Sequence, residues 1–346
     1  MKIVKNSWPN GDPAAILDKK IYATFDGGED LKNLPALCLD FLAKQKRAWL
    51  DLREGCKLLR SVRERTLPCR GFSVRLQHNP GRIKSSTAEV YRTEGKGRQC
   101  FLCPDHLPED QKGILHRGEY LILCNPMPVF SPHFTVPHLD HRPQIITEQI
   151  DAFLQLIADL GSGWAVLYNG PRCGASAPDH LHFQVVPSGR MPIEKEILER
   201  KRLALLTPVS DCLLYRVKDL GREVVVLEGN DSRAVGDAFR RFLDSLRKTL
   251  SMAEEPMINI AGFHKQEKGR WRLLIFPRRK HRPDSFFKKG EDRRVISPGV
   301  IDMGGVLITP MGKDFEQLNA ASIEGIYKEV SMEGKMVEKA IRESRT

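Results

Sequence analysis

The chain has 346 residues, room for one large domain or two of ordinary size. Hydrophobic residues make up 41% and charged residues 29%, a globular balance; no stretch approaches the roughly 18 apolar residues of a membrane span, and the start MKIVKNSWPNGD lacks the apolar core of a signal peptide, so a cytoplasmic protein is expected. The formal net charge of +11 attracts polyanions, but it is spread along the chain with clusters at Lys44–Arg70 and Arg278–Arg282; without an arginine-rich tail or an RNA-binding aromatic motif, it points to small phosphorylated partners rather than nucleic acid.

In chain order, residues 36–64 carry Leu42, Trp49, Leu52, Cys56 and Leu59 at helical spacing. Phe72–Gln77 alternates apolar and polar and predicts a half-buried strand. A turn-rich stretch, His78–Thr87, follows, then short strands at Tyr120–Cys124 and Phe134–Val136. Thr147 can cap a helix with the apolar face Ile150, Phe153, Leu154 and Ile157, which Gly161 can end. Trp164–Tyr168 and His180–Val186 predict strands on either side of a Gly- and Pro-rich loop, Asn169–Asp179.

The second half loosely repeats this order. Strands are expected at Val224–Leu227, Met257–Phe263, Trp271–Phe276 and Val306–Thr309, with a turn at Lys265–Gly269. Helices are expected at Ser232–Met252 and, as one long element, from about Asp314 to the end. Strands and helices mix without regular βαβ alternation, so the expected class is α+β, with antiparallel sheets flanked by helices. The boundary between halves is placed in 188–210, dividing the chain into 1–195 and 196–346. There is no Gly-x-x-x-x-Gly-Lys-Ser/Thr loop and no Gly-x-Gly-x-x-Gly after a strand.

The informative segment is the loop from Asn169 followed by Asp179-His-Leu-His-Phe-Gln184. In a strand alternate side chains share a face, which puts His180, His182 and Gln184 together on the wall of a pocket. The loop supplies Asn169, Gly170, Gly174 and Ser176 as candidate substrate contacts; small residues let backbone N–H groups approach a phosphate. A neutral imidazole can attack phosphorus through one ring nitrogen while the other is held, usually by a backbone carbonyl. His182 is the expected nucleophile, and Gln184 can donate to a phosphoryl oxygen without adding charge.

The eight cysteines are scattered, which suits reduced thiols or metal ligands better than a disulfide framework. Cys100-Phe-Leu-Cys103 has the gap that lets two thiolates share a zinc ion. Histidines at positions 133, 138, 141 and 180 can complete the site. The expected set is Cys100, Cys103, His141 and His180, with His138 and His133 as alternatives to His141. Four protein ligands close the site and make the zinc structural.

Gly-Ala-Ser followed by His-x-His-x-Gln resembles the galactose-1-phosphate uridylyltransferase and dinucleoside tetraphosphate phosphorylase branch of the histidine-triad superfamily. Asp-His-Leu-His-Phe-Gln is especially similar to the GDP-hexose phosphorylases. The resemblance implies two histidine-triad-like halves in one chain and ping-pong transfer through a nucleotidyl-histidine at His182, with zinc on the pair of cysteines, a downstream histidine and His180. It also implies nucleotide contacts at Asn79-Pro-Gly-Arg82 and Asn125-Pro126. Leu273–Arg278 resembles the second-half strand, where Arg272 and Leu274 replace a histidine pair; that half would bind, with Arg278, Arg279 and Lys280 near a phosphate. Ala177, Pro178 and Asp179 stand between the Ser and the first His, where the uridylyltransferase pattern has two residues.

Three functions follow. The first is a nucleoside-diphosphate-hexose phosphorylase or hexose-1-phosphate nucleotidylyltransferase, with a nucleotide sugar and inorganic phosphate or a sugar phosphate as partners. The second exchanges the nucleotide sugar for a dinucleoside polyphosphate. The third is a zinc-stabilised nucleic-acid-binding protein. The base, the acceptor and the oligomeric state are not written in the sequence.

Overall fold

The computed structural model describes residues 13–28, 33–87, 99–199, 202–209, 211–265 and 269–345. Fourteen strands are defined among them. They are β1 (Ile21–Phe25), β2 (Arg63–Pro68), β3 (Ser73–His78), β4 (Gly113–His116), β5 (Tyr120–Cys124), β6 (Phe134–Pro137), β7 (Trp164–Asn169), β8 (His182–Pro187), β9 (Leu203–Val209), β10 (Cys212–Val217), β11 (Val224–Gly229), β12 (Ile258–Lys265), β13 (Arg270–Pro277) and β14 (Val306–Thr309).

Eleven form one sheet in the order β1-β4-β5-β6-β8-β7-β12-β13-β11-β10-β9. Every pairing is antiparallel except the edge pair β1–β4. The first six strands in that order come from the first half of the chain and the other five from the second. They join at β7–β12, where Asn169 faces Asn259 and Leu167 faces Ala261. A smaller sheet, β14-β3-β2, also mixes the halves. The α+β class read from the sequence is the observed one.

Side chains alternate across the large sheet. Val166, Tyr168, Phe183, Val185, Ile260 and Ile275 enter one core with helices Leu34–Ala48, Ile150–Leu160, Ser232–Thr249 and Gly334–Glu343. Ala165, Leu167, Val186, Ala261, Leu274 and Phe276 enter a second core beneath the small sheet and helix Ala320–Val330. His182 and Gln184 alternate with Phe183 and Val185, so they stand on the face of this second core. No helix among the described residues is long and apolar enough to cross a membrane.

Several elements differ from expectation. The helix predicted over 36–64 breaks at Trp49, whose backbone is extended, giving Leu34–Ala48 and Leu50–Arg60. Trp49 and Leu52 are both buried there. Gln149, not Thr147, stands at the N-cap position of the next helix, with its side chain turned to Tyr120 rather than to the helix; Thr147 instead donates its hydroxyl and backbone N–H to Glu255. Gly161 ends that helix at φ 71°, a conformation glycine adopts freely. The long C-terminal helix is three shorter ones, because Leu318 and Ser331 take extended backbone and Asn319 caps a new start. Strands β1, β2, β4, β9 and β10 had no sequence expectation; several lie at sheet edges with weak alternation. The turn expected at Lys265–Gly269 includes residues 266–268, which lie outside the described residues.

Candidate active site

Strand β8 begins at His182, two residues later than expected, so His180 precedes it and its ring turns away from the strand face. Cys100 Sγ lies 3.2 Å from His180 Nδ1, and Cys103 Sγ lies 3.3 Å from His141 Nδ1. These four ligand atoms all fall within 4.8 Å of one another. The His180 Nε2–H donates to the His138 carbonyl at 2.8 Å, which leaves the Nδ1 lone pair facing the sulfurs. Asp179 faces the outer nitrogen of His141 at 3.6 Å. Asp179 and Cys100 push His141 up to about 10. The Cys103 thiol shares its proton with Cys100, which holds the Cys100 thiol well below its ordinary range; His141 and His180 add to the effect. This Cys2His2 set can hold a metal ion. His138 stands outside it, with Nδ1 accepting from the Asp140 N–H. So does His133.

His182 occupies the start of β8. Its backbone is clamped by Gln144, whose Oε1 accepts from the His182 N–H at 2.7 Å. The Gln144 amide donates to the carbonyls of His182 and Asn169, tying β8 to the end of β7. The His182 Nδ1–H donates to the His180 carbonyl at 2.8 Å. That fixes the tautomer and puts a lone pair on Nε2. Nε2 is buried and has no hydrogen-bond partner among the described residues. Burial lowers the ring to about 4, so it is neutral at ordinary pH. The expected open pocket wall is absent at this residue: His182 is only 2% exposed.

Gln184, two residues on, does reach a cavity. The space is about 60 Å³, room for a phosphate group and far below the several hundred Å³ of a drug-sized site. Asn169, Gly174, Ser176 and Arg82 line it together with Gln184. Gly174 is required by the backbone: its φ is +108°, and a Cβ would lie 2.8 Å from Gly299 Cα.

Three expected contacts lie elsewhere. Asn79 is buried and turns its amide to Gln77 Oε1 and the Pro128 carbonyl. Asn125 holds the turn after β5 by accepting from the Met127 N–H. Arg278 was expected near a phosphate but is 1% exposed. Its guanidinium is taken up by Asn259 Oδ1 and by the carbonyls of Pro298, Val330, Lys280 and His281. Arg279 and Lys280 also miss the cavity; Lys280 pairs with Asp284 and Glu329.

The second half contributes His281, Arg282, Ser297 and Asp302 to the cavity instead. Arg282 donates to Ser297 Oγ and to the Ser86 carbonyl. Burial and the neighbouring Arg282 and Arg278 lower His281 to about 3. Asp302 is raised to about 6 by burial; its oxygens accept from the Gly299 and Ile308 N–H groups. Arg282 sat in a charge cluster visible in the sequence. Asp302, Ser297 and Gln144 had no local signal. A larger cleft of about 1090 Å³ opens between the β10–β11 turn and the C-terminal segment. Arg279 lines it, but none of the β8 residues does.

Residues 41–187 match a family model described as a domain of unknown function, DUF4922. No curated protein matches the chain. Among solved structures, the chain is similar to yeast Ap4A phosphorylase. The identity is 14% and the TM-score 0.54, over 87% of this chain and 95% of that one. A structure of the same yeast protein in complex with Ap4A gives 12% identity and TM-score 0.50, over 82% and 97%. At these identities the likeness is one of fold.

Proposed function

We propose that the chain is a nucleotidyltransferase of the phosphorylase type, with His182 Nε2 as the nucleophile. The observation that carries this reading is the Nε2 lone pair: buried, neutral, fixed in tautomer by the His180 carbonyl, and without a partner among the described residues. A buried ring nitrogen left unpaired costs about 1–3 kcal/mol, and structures keep few of them. Attack on an α-phosphorus forms an N–P bond and breaks the P–O bond to the leaving phosphate or sugar phosphate. The positive charge on the ring is shared through Nδ1–H with the His180 carbonyl. Inorganic phosphate then attacks the nucleotidyl-histidine, releases a nucleoside diphosphate and restores the lone pair. Gln184 donates to a phosphoryl oxygen, and Arg82 and Arg282 balance its charge. His182 is closed off from solvent here, so the reading requires an opening that brings the α-phosphate to Nε2.

The preferred donor is a nucleoside-diphosphate hexose, as the wording of the β8 motif suggests. A dinucleoside polyphosphate is the second reading, supported by the fold shared with a yeast protein whose structure holds Ap4A. The Cys100, Cys103, His141 and His180 set is assigned to structural zinc, which would pin the segment before β4 to the strand that carries the nucleophile. Residues 1–195 form the nucleotidylating half in this reading, and 196–346 the half that completes the cavity.

The test is a panel of nucleotide sugars and dinucleoside polyphosphates scored by intact mass. The expected result is one nucleoside monophosphate added to the wild-type chain and none to folded His182→Ala. An adduct that survives in that variant ends the assignment. The released products separate the two donor classes.

A further inference from the structure

Two amides, Gln184 and Asn169, line the same wall of the small cavity. An amide can offer a donor or an acceptor, and which end faces the cavity decides what it binds. Here the choice follows from neighbours that can act in only one way.

The Val129 N–H can only donate, and it donates to His133 Nδ1 at 3.2 Å. His133 is neutral, because burial and Arg82 lower it to about 3. Its one proton is therefore on Nε2, which lies 3.0 Å from Gln184 Oε1. The Gln184 carbonyl end is consumed, and the NH2 end is left for the cavity.

A second chain fixes Asn169. Arg278 can only donate, and its guanidinium donates to Asn259 Oδ1 at 2.6 Å. Asn259 Nδ2 donates in turn to the Cys173 carbonyl and to Asn169 Oδ1. The Val300 N–H donates to the same Asn169 oxygen at 2.8 Å. Asn169 is thus also held carbonyl-inward. Asp302, which also lines the cavity, has both oxygens engaged by backbone N–H groups.

We infer that His133 and the Arg278–Asn259 pair are positioning residues that turn both amides nitrogen-outward, making this wall of the cavity a donor surface for a phosphoryl group. The inference deepens the nucleotidyl-transfer reading and rests on it for its biological setting, but its chemistry is tested without turnover. Two outward N–H donors suit a ligand rich in acceptor oxygens, such as a phosphoryl group. The buried Arg278, which touches no ligand, gains a role through two intervening amides.

The probe is inorganic phosphate, titrated into the full chain by calorimetry. Wild type is expected to bind, and His133→Leu to lose roughly tenfold in affinity while keeping its melting temperature within a few degrees. His133→Gln, which can place an N–H near the same point, is expected to recover most of the affinity. Nitrogen NMR of the wild-type chain checks the premise even if His133→Leu does not fold: His133 should carry its proton on Nε2 at neutral pH. A proton on Nδ1, or unaltered phosphate affinity in folded His133→Leu, overturns the inference. Failure of wild type to bind phosphate also overturns it. Absence of a His182 adduct with phosphate binding intact overturns the nucleotidyl-transfer reading and leaves this one standing.

Discussion

Strands β8 and β13 sit on opposite sides of the β7–β12 join and present side chains to the same core, yet they use that face differently. On β13 the face carries Leu274 and Phe276, both fully buried. Its charged members are matched: Arg272 by Glu228 on the neighbouring strand, and Arg278 by five oxygen acceptors. On β8 the face carries His182 and Gln184, and His182 keeps a lone pair that no neighbour takes. One strand is arranged for packing, and the other tolerates a cost at a single atom. In the proposed reading, β8 carries the nucleophile and β13 supports the fold around it.

The strongest way to break the comparison is His182→Ala, with Leu274→Ala as its counterpart. The first should abolish the mass adduct and leave folding intact. The second should open a core cavity worth about 2–5 kcal/mol in denaturant unfolding while the adduct still forms. Next in size, Arg278→Met strips Asn259 Oδ1 and four carbonyls of their donor; a loss of about 1–3 kcal/mol is expected in the same measurement. Metal removal comes third. Cys103→Ser should empty the Cys2His2 set in elemental analysis and lower the melting temperature, because binding energy at such a set is folding energy.

A smaller effect concerns pH. His133 and His281 are each held at about 3 when folded, against 6.5 when unfolded. Below pH 6.5 the unfolded chain therefore binds protons that the folded chain refuses, and stability falls as pH drops toward 3. The melting temperature should fall between pH 7 and pH 4.5, and less steeply in His133→Gln. The smallest change is expected at the largely buried Arg272–Glu228 pair, 13% and 8% exposed. Arg272→Met combined with Glu228→Gln removes both charges together and leaves the more exposed Arg270 without that ion pair, so stability should move by about 1 kcal/mol or less, with adduct formation unaltered.

Much of the β8 site was legible because it is local. His182, Gln184, Asn169, Gly174 and Ser176 lie within one loop and strand, and their spacing is a statement about alternation. The Cys2His2 cluster was legible for a different reason: thiol and imidazole are recognisable ligands, and the structure brings in His141, the expected histidine, rather than its alternatives His138 and His133. Arg278 misled because charge in a sequence says nothing about what surrounds it. Its neighbours are carbonyls from residues 280, 281, 298 and 330, brought there by the turn after β13 and the helix ending at Val330. Arg282, four residues on, is the arginine of that cluster that reaches the cavity.

The sequence by itself determined the α+β class, the alternation of β8 and the chemistry its side chains can perform, since these depend on residue type and on near neighbours along the chain. Only the tertiary structure decided that both halves share one sheet, which arginine faces the cavity, and which way the two amides turn. Those outcomes depend on donors and acceptors contributed from distant segments, and a buried polar group takes its orientation from the partners that folding brings to it.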